Sequence, residues 1–257
     1  MLFFLGSSVI YFVQELGNLG LFTYRAMSVF FQTGCSYSAL LQQMLHIGVN
    51  SRNVVALTGS AIGAVLAKHG YDGLHRFDAD QFLGPLVYLA MTREFGSVIS
   101  AIMVIARAGS AMTAEVGSMN ISEQIDALTT LSIDPIRYVV VPRILATTLI
   151  MPLLSLFCVI FGVGAGYVVA IHVLHINSEL YLESIRTNLL LSDITKGLIK
   201  AAVFGFLSSV ICSYKGINAR GGAKGIGVAT TQAVVISCVT VFLVNYVLTS
   251  LLFHESV

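Results

Sequence analysis

The sequence predicts an all-α, polytopic membrane protein, and three observations carry that expectation. Apolar residues make up 56 % of the 257-residue chain and charged residues only 11 %, against roughly 25 % charged in a typical soluble domain. Mean hydropathy is +0.86, so charge is too sparse to cover a water-facing surface. Two stretches, Ile144 to Ile171 and Ile226 to Phe253, run for 28 residues each without a charge. Either exceeds the roughly 20 residues that cross a bilayer as a helix.

The first forty residues are aromatic-rich, with Phe3, Phe4, Tyr11, Phe12, Phe22, Tyr24, Phe30 and Phe31, and only Glu15 and Arg25 are charged. No basic residue precedes the apolar run from Leu2 to Val13, so it reads poorly as a signal peptide. An extra span and a helix lying in the membrane interface both fit. The aromatic content favours the interfacial helix, assigned to residues 1–45.

Five spans follow. Val54 to Ala67 is short and rich in Gly, Ser and Thr. Leu86 to Ala106 contains Arg93 and Glu94. Ile144 to Ile171 is the first charge-free stretch. Gly197 to Tyr214 is interrupted by Lys200, and Ile226 to Phe253 is the last. Small residues let helices approach closely in lipid, where packing replaces the hydrophobic effect. Gly59 and Gly63 in GSAIG, Gly162 and Gly166 in GVGAG, and Gly109 beside Ser110 are the candidates for that role.

Lys and Arg in short loops report orientation. With the N-terminus in the cytoplasm, the inside segments hold Arg25, Arg52, Arg107, Arg137, Arg143, Lys215, Arg220 and Lys224. The outside segments hold Lys68, Arg76, Arg186, Lys196 and, at a boundary, Lys200, which makes eight against five. The bias places the C-terminal HESV outside.

A charged insert, Met112 to Arg143, then lies in the cytoplasm. Asn120 or Ser122 can cap a helix there, and Asn120 has Glu123 at capping-box distance. Ile121, Ile125 and Leu128 recur at helical spacing, with Leu131 continuing the row, while Glu123 and Asp126 fall elsewhere on the wheel. Pro135 disfavours helical geometry at Asp134, so the helix ends by there. Two readings fit: a surface loop with a helical turn, and a docking element for a cytoplasmic partner.

Several function classes lack their signatures. Cys35, Cys158, Cys212 and Cys238 form no close pair and read as small buried hydrophobes. The six histidines have no metal-ligand spacing, and a net charge of +1 with no basic stripe argues against nucleic acid. No paired nucleophile and base stands out, so no catalytic residue is assigned. RGGAKG, Arg220 to Gly225, lacks the pattern of a nucleotide phosphate loop. It reads as a tight basic turn near anionic headgroups. Without a Walker motif, any ATP-driven work must be powered from another chain.

Three stretches, TREFGSVISAIMVIARAGSAMTAEVGSM, ISEQIDALTTLSIDPIRYVVVPR and KGINARGGAKGIGVATTQAVV, together resemble the MlaE/YrbE-type permease subunits of MCE-associated ABC lipid transporters. They span about half the chain in the family's order. The resemblance implies one permease domain over residues 1–257, with an N-terminal interfacial helix and about five spans in a bacterial inner membrane. It implies a second copy of the chain, a cytoplasmic ATPase dimer that uses the ATP, a periplasmic MCE-domain protein, and phospholipid or a related lipid as cargo. No cofactor is implied in this chain. The coupling element maps to the region 120–134, with Ser122, Glu123, Gln124, Ile125, Asp126 and Leu128. Arg93 and Glu94 occupy the family's Arg-Glu pair beside the lipid cavity. The family's following Leu-Gly-Pro is Phe95-Gly96-Ser97 here, which removes a proline kink.

A charge in hydrocarbon costs roughly 3 kcal/mol on insertion scales. Adjacent residues do not face each other on a helix, so Arg93 and Glu94 need not pair with one another. They line a polar cavity or face a second subunit, or they are a folding ion pair or a snorkelling arginine. The alternatives to a permease are an intramembrane lipid-modifying enzyme and a non-transporting assembly factor.

Overall fold

The computed structural model describes residues 2–253. Met1 and residues 254–257, the segment expected outside the cytoplasm, lie outside the described residues, as do the side chains of Phe3, Phe4, Tyr11 and Phe12. Every regular element among the described residues is helical.

Helix α1, Leu2–Thr33, is 32 residues long. Gly34 ends it in the left-handed region, at φ +68°, and returns its N–H to Phe30 O at 2.9 Å, a termination that a Cβ would disfavour. α1 lies against the outside of the bundle. Ala26, with Leu19, Phe22, Val29 and Phe30 around it, packs on Ile136, Val140, Val141, Ile144 and Val210. Its other face leaves Leu16, Leu21, Tyr24 and Phe31 exposed. The next helix, α2, begins at Tyr37 and runs to Leu74, so residues 37–45 are its first turns and no part of α1.

Among the described residues, four helical stretches are long and apolar enough to cross a membrane: Asp80–Ile121, Ile136–His172, Leu191–Ile217 and Gly222–Leu252. α2 is 38 residues long but is not among them. Gln42, Gln43, Asn50 and Arg52 precede its apolar middle, and Lys68, His69 and Asp72 follow it.

The first apolar stretch is one rod. α3 (Leu83–Ala90), α4 (Gly96–Val104) and α5 (Ser110–Ile121) follow without a break, joined by π-helical turns at Met91–Phe95 and Ile105–Gly109. The rod's proline, Pro85, lies in the first turn of α3, where a proline is tolerated, so these π-helical turns are its irregularities. The rod continues fifteen residues past Ala106, where the sequence pattern ends the span. A further π-helical turn, Ile136–Val140, opens into α7, Val141–His172. The charged insert is therefore mostly the ends of two long helices. Its independent part is residues 122–135, which hold α6, Gln124–Thr130.

α8, Ser178–Asn188, is capped by Asn177 Oδ1, which accepts Glu179 N–H at 2.9 Å. α9, Leu191–Ile217, turns into α10, Gly222–Leu252. Gly221 and Gly222 stand at φ +92° and +68° in that turn, where glycine is free of the Cβ penalty.

α2 and α7 run parallel. A Cβ at Gly48 would meet Ile150, one at Gly59 would stand 2.8 Å from Cys158 O, and one at Gly63 would fall on the Gly162 backbone. α9 packs against α5, α7 and α10. Gly197 approaches Thr92 and Gly216 approaches Val116, so α9 runs parallel to the rod and packs closely on it. One end of the bundle gathers α6, the start of α7 and the α9–α10 turn. The other gathers the end of α2, α8, the start of α9 and the end of α10.

Candidate functional site

The π-helical turn at Met91–Phe95 places Arg93 and Glu94 against α9 and α10. Arg93 Nη2 donates to Asp193 Oδ2 at 3.0 Å. Glu94 Oε2 accepts from Lys200 Nζ at 3.0 Å and from Asn245 Nδ2 at 2.9 Å. The two charges thus pair within the chain, each with a different partner and neither with the other.

Lys200 has no solvent exposure, and Asp193 is 2 % exposed. An ammonium has three donors and no acceptor. All three donors of Lys200 are used, on Glu94 Oε2, on Arg93 O at 2.9 Å and on Thr249 Oγ1 at 2.9 Å. The Thr249 hydroxyl accepts that bond and has a single proton to give. It lies 2.8 Å from Glu94 Oε1 and 2.8 Å from Asn245 O. The Phe253 ring faces three cations, with Lys196 Nζ, Arg93 Cζ and Lys200 Nζ 5.1, 5.2 and 5.8 Å from its centroid.

Two cations and two carboxylates are hydrogen-bonded in this network, so the paired set is formally neutral, with Lys196 a third cation beside the Phe253 ring. The open side of the network is formed by Arg93 and Glu94, whose side chains are 30 % and 34 % exposed. The buried Arg93 Nε and Asn245 Oδ1 have no hydrogen-bond partner among the described residues. Asp193 is the third residue of α9 and Thr249 is three residues from the end of α10. The network therefore clasps the start of one helix, the end of another and the rod between them, toward the end of the bundle away from α6.

Sequence reasoning singled out Arg93 and Glu94 but missed their partners. The basic-residue count places Lys200 at a span boundary, whereas it is fully buried in the bundle. Taking it out changes the loop balance from eight against five to eight against four. A signal was present. Asp193, Lys196 and Lys200 recur at the i, i+3, i+7 spacing of one helix face, and Asn245 and Thr249 at i, i+4.

At the opposite end, α6 is shorter and differently capped than its spacing implies. Asn120 and Ile121 belong to α5, and Asn120 Nδ2 donates to Ala219 O at 3.1 Å. Ser122 Oγ donates backward to Ser118 O at 2.7 Å. The N-cap is Glu123, at φ +58° and with no side-chain cap bond, so there is no capping box. The left-handed residue redirects the chain, and Ile121 falls off the row that Ile125 and Leu128 continue. The helix ends at Thr130, ahead of Asp134, which instead accepts Ile136 N–H at 3.0 Å. Ser122, Glu123, Gln124 and Asp126 are exposed, while Ile125 and Leu128 are half-buried. Ile125 lines a cavity of about 430 Å³ that faces Leu21 and Phe22 of α1. The apolar row thus has a neighbour within the chain, and the most outward apolar groups nearby are Leu131 and Tyr138, 70 % and 63 % exposed.

The five small-residue candidates lie at helix contacts. Gly59 and Gly63 face Cys158 and Gly162 as described above, and Gly162 also meets Met91. A Cβ at Gly166 would lie 2.9 Å from Val87 Cγ1, and one at Gly109 3.0 Å from Cys212 Sγ. All four cysteines are free, and no group of three or more His, Cys, Asp and Glu among the described residues could hold a metal ion.

Comparison with known proteins agrees with this architecture. The family described as Permease MlaE matches residues 40–251. A probable ABC transporter permease protein of Rickettsia typhi is 43 % identical over 248 residues, 96 % of each chain. One from Synechocystis is 34 % identical over 248 residues, 92 % of this chain and 94 % of its own. The intermembrane phospholipid transport system permease protein MlaE of Haemophilus influenzae is 34 % identical over 250 residues, 97 % of this chain and 96 % of its own.

Proposed function

The chain belongs to the MlaE permease family, and from that premise we propose that it is the permease subunit of an ABC transporter that moves phospholipid or a related lipid between membranes. The family match over residues 40–251, on a chain whose described residues include four helices long and apolar enough to cross a membrane, carries the reading. The Haemophilus relative's name, a permease of intermembrane phospholipid transport, supports the cargo class.

In this reading two copies of the chain form the lipid pathway in a bacterial inner membrane. A separate cytoplasmic ATPase dimer supplies the energy, and an MCE-domain protein receives or delivers lipid on the periplasmic side. The basic-residue bias assigns the N-terminus and α6 to the cytoplasm and the C-terminus to the periplasm. α2 serves as the fifth span, its polar flanks reaching beyond the hydrocarbon and its apolar middle held against α7. α1 lies in the interface.

The ionic network then stands in the periplasmic half of the pathway. Its open side, Arg93 and Glu94, offers a cation and a carboxylate to a lipid headgroup. Lys200 and Asp193 keep both charges oriented in a site where unpaired charge is costly. α6 transmits the closing and opening of the ATPase to the rod and to α7, which flank it along the chain.

The test is co-expression with the neighbouring ATPase and MCE genes, purification in mild detergent and reconstitution in vesicles. ATP-dependent transfer of labelled phospholipid is the expected result. A purified complex that hydrolyses ATP but moves no phospholipid, sterol or fatty lipid would overturn the assignment.

A further inference from the structure

At the end of the bundle that carries α6, the α9–α10 turn faces α1 across a groove of about 670 Å³. Gln14, Glu15 and Asn18 form one wall, and Lys215, Arg220 and Lys224 stand on the other. That volume lies within the range of small-molecule sites, roughly 300–1,000 Å³.

The charges in the groove are not balanced. Lys215 is already paired and donates to Glu15 Oε1 at 2.8 Å. Arg220 and Lys224 are both exposed, and neither makes an ion pair among the described residues. Two uncompensated cations therefore border one concave surface. A Cβ at Gly225 would fall on Arg220 O, so the turn that holds these cations at one groove tolerates no side chain there.

The surroundings indicate depth. α1 forms the far wall, and its outer face carries Leu16, Leu21 and Tyr24 exposed. A helix of that kind sits at the headgroup boundary, which puts the groove beside it at the level of lipid phosphates. Guanidinium binds phosphate oxygens through paired N–H donors, and ammonium adds a point charge. Basic residues at the cytoplasmic surface attract anionic lipid.

We propose that this groove binds the phosphate of an anionic phospholipid headgroup in the cytoplasmic leaflet, with Arg220 and Lys224 as its ligands. The proposal rests on the orientation assigned above. It places a second headgroup site about one bilayer away from the Arg93–Glu94 network, on the side that faces the ATPase.

The experiment uses the full chain, purified in non-ionic detergent without ATPase or nucleotide. Binding of water-soluble dihexanoyl-phosphatidylglycerol, dihexanoyl-phosphatidylcholine and inorganic phosphate is measured by native mass spectrometry and calorimetry. Arg220→Gln with Lys224→Gln should weaken phosphatidylglycerol binding by at least roughly tenfold. The charge-preserving exchange, Arg220→Lys with Lys224→Arg, should retain most of it. Lys68→Gln with Arg76→Gln, at the opposite end of the bundle, should change nothing. Unchanged affinity in the groove variant would overturn the proposal, and so would equal losses in both glutamine variants. Inorganic phosphate that matches phosphatidylglycerol in affinity would assign the groove to free phosphate and remove the lipid. Because no transport step is measured, a failed transport assay leaves this result standing, and a failed binding result leaves the transport reading standing.

Discussion

Lys200 donates to Glu94 across 3.0 Å from a position with no solvent exposure, and its other two donors are also satisfied. A buried ammonium with three acceptors is stable only while all of them stay in place, so Lys200 ties α9 to the π-helical turn and to the end of α10. Breaking a buried pair from one side costs about 3–5 kcal/mol, because a charge is left behind. Lys200→Met should fall at the lower end of that range, since Glu94 retains Asn245 and Thr249 and is partly open to solvent. Adding Glu94→Gln should recover part of the loss. Thermal unfolding of the four members of this cycle in detergent checks it, and additive losses would contradict direct coupling.

Arg93 stands over a carboxylate that is 2 % exposed. Arg93→Ala alone should lower both stability and lipid transfer, because Asp193 is then buried without its cation. Arg93→Ala with Asp193→Asn should restore most of the stability. If Arg93 serves the lipid pathway, transfer stays low in that double variant while the ATPase remains bound. Recovery of transfer along with stability would leave Arg93 a purely structural residue.

Gly63 and Gly164 make a matched pair for helix approach. A Cβ at Gly63 falls on the Gly162 backbone, whereas one at Gly164 meets nothing within 4 Å. Gly63→Ala should destabilise the protein by about 1–3 kcal/mol, the usual cost of overpacking. Gly164→Ala should be close to neutral. Equal unfolding temperatures for the two would show that α2 and α7 separate without penalty.

For α6, the half-burial of Ile125 and Leu128 against their own chain divides the docking hypothesis in two. Ile125→Asp with Leu128→Asp should strip the ATPase from the complex, in part by dislodging α6 itself. Leu131→Asp changes a side chain that is 70 % exposed and should weaken co-purification without disturbing the fold. An amphipathic helix gains its affinity from such apolar anchors, and Glu123→Ala should have the milder effect of an orienting charge. Full ATPase retention and normal transport in both Asp variants would make the segment an ordinary loop.

Orientation is tested by single thiols. In a background without Cys35, Cys158, Cys212 and Cys238, Asn218→Cys and Arg76→Cys stand at opposite ends of the bundle. An impermeant maleimide added to intact spheroplasts should label Arg76→Cys and spare Asn218→Cys. The reverse pattern would invert the assigned topology.

Composition and run length alone determined the class of this protein. Charge at 11 % and two uncharged runs of 28 residues leave a chain little choice but helices in a bilayer, since a helix satisfies its own backbone where no water can. The glycine spacings marked Gly59, Gly63 and Gly162, because small residues at helical intervals have a local signature. The ends of the helices were not legible in this way. The rod runs on to Ile121 because tertiary packing against α9 and α10 outweighs the polar residues within it, and the left-handed Glu123 that stops α6 from joining it has no propensity signal. Nor could one segment reveal what Arg93 and Glu94 were for. Asp193 lies 100 residues from Arg93 and Thr249 lies 155 from Glu94. Only the bundle brings them together, since an ion pair is a property of distance in space, and burial decides how strongly each charge needs its partner.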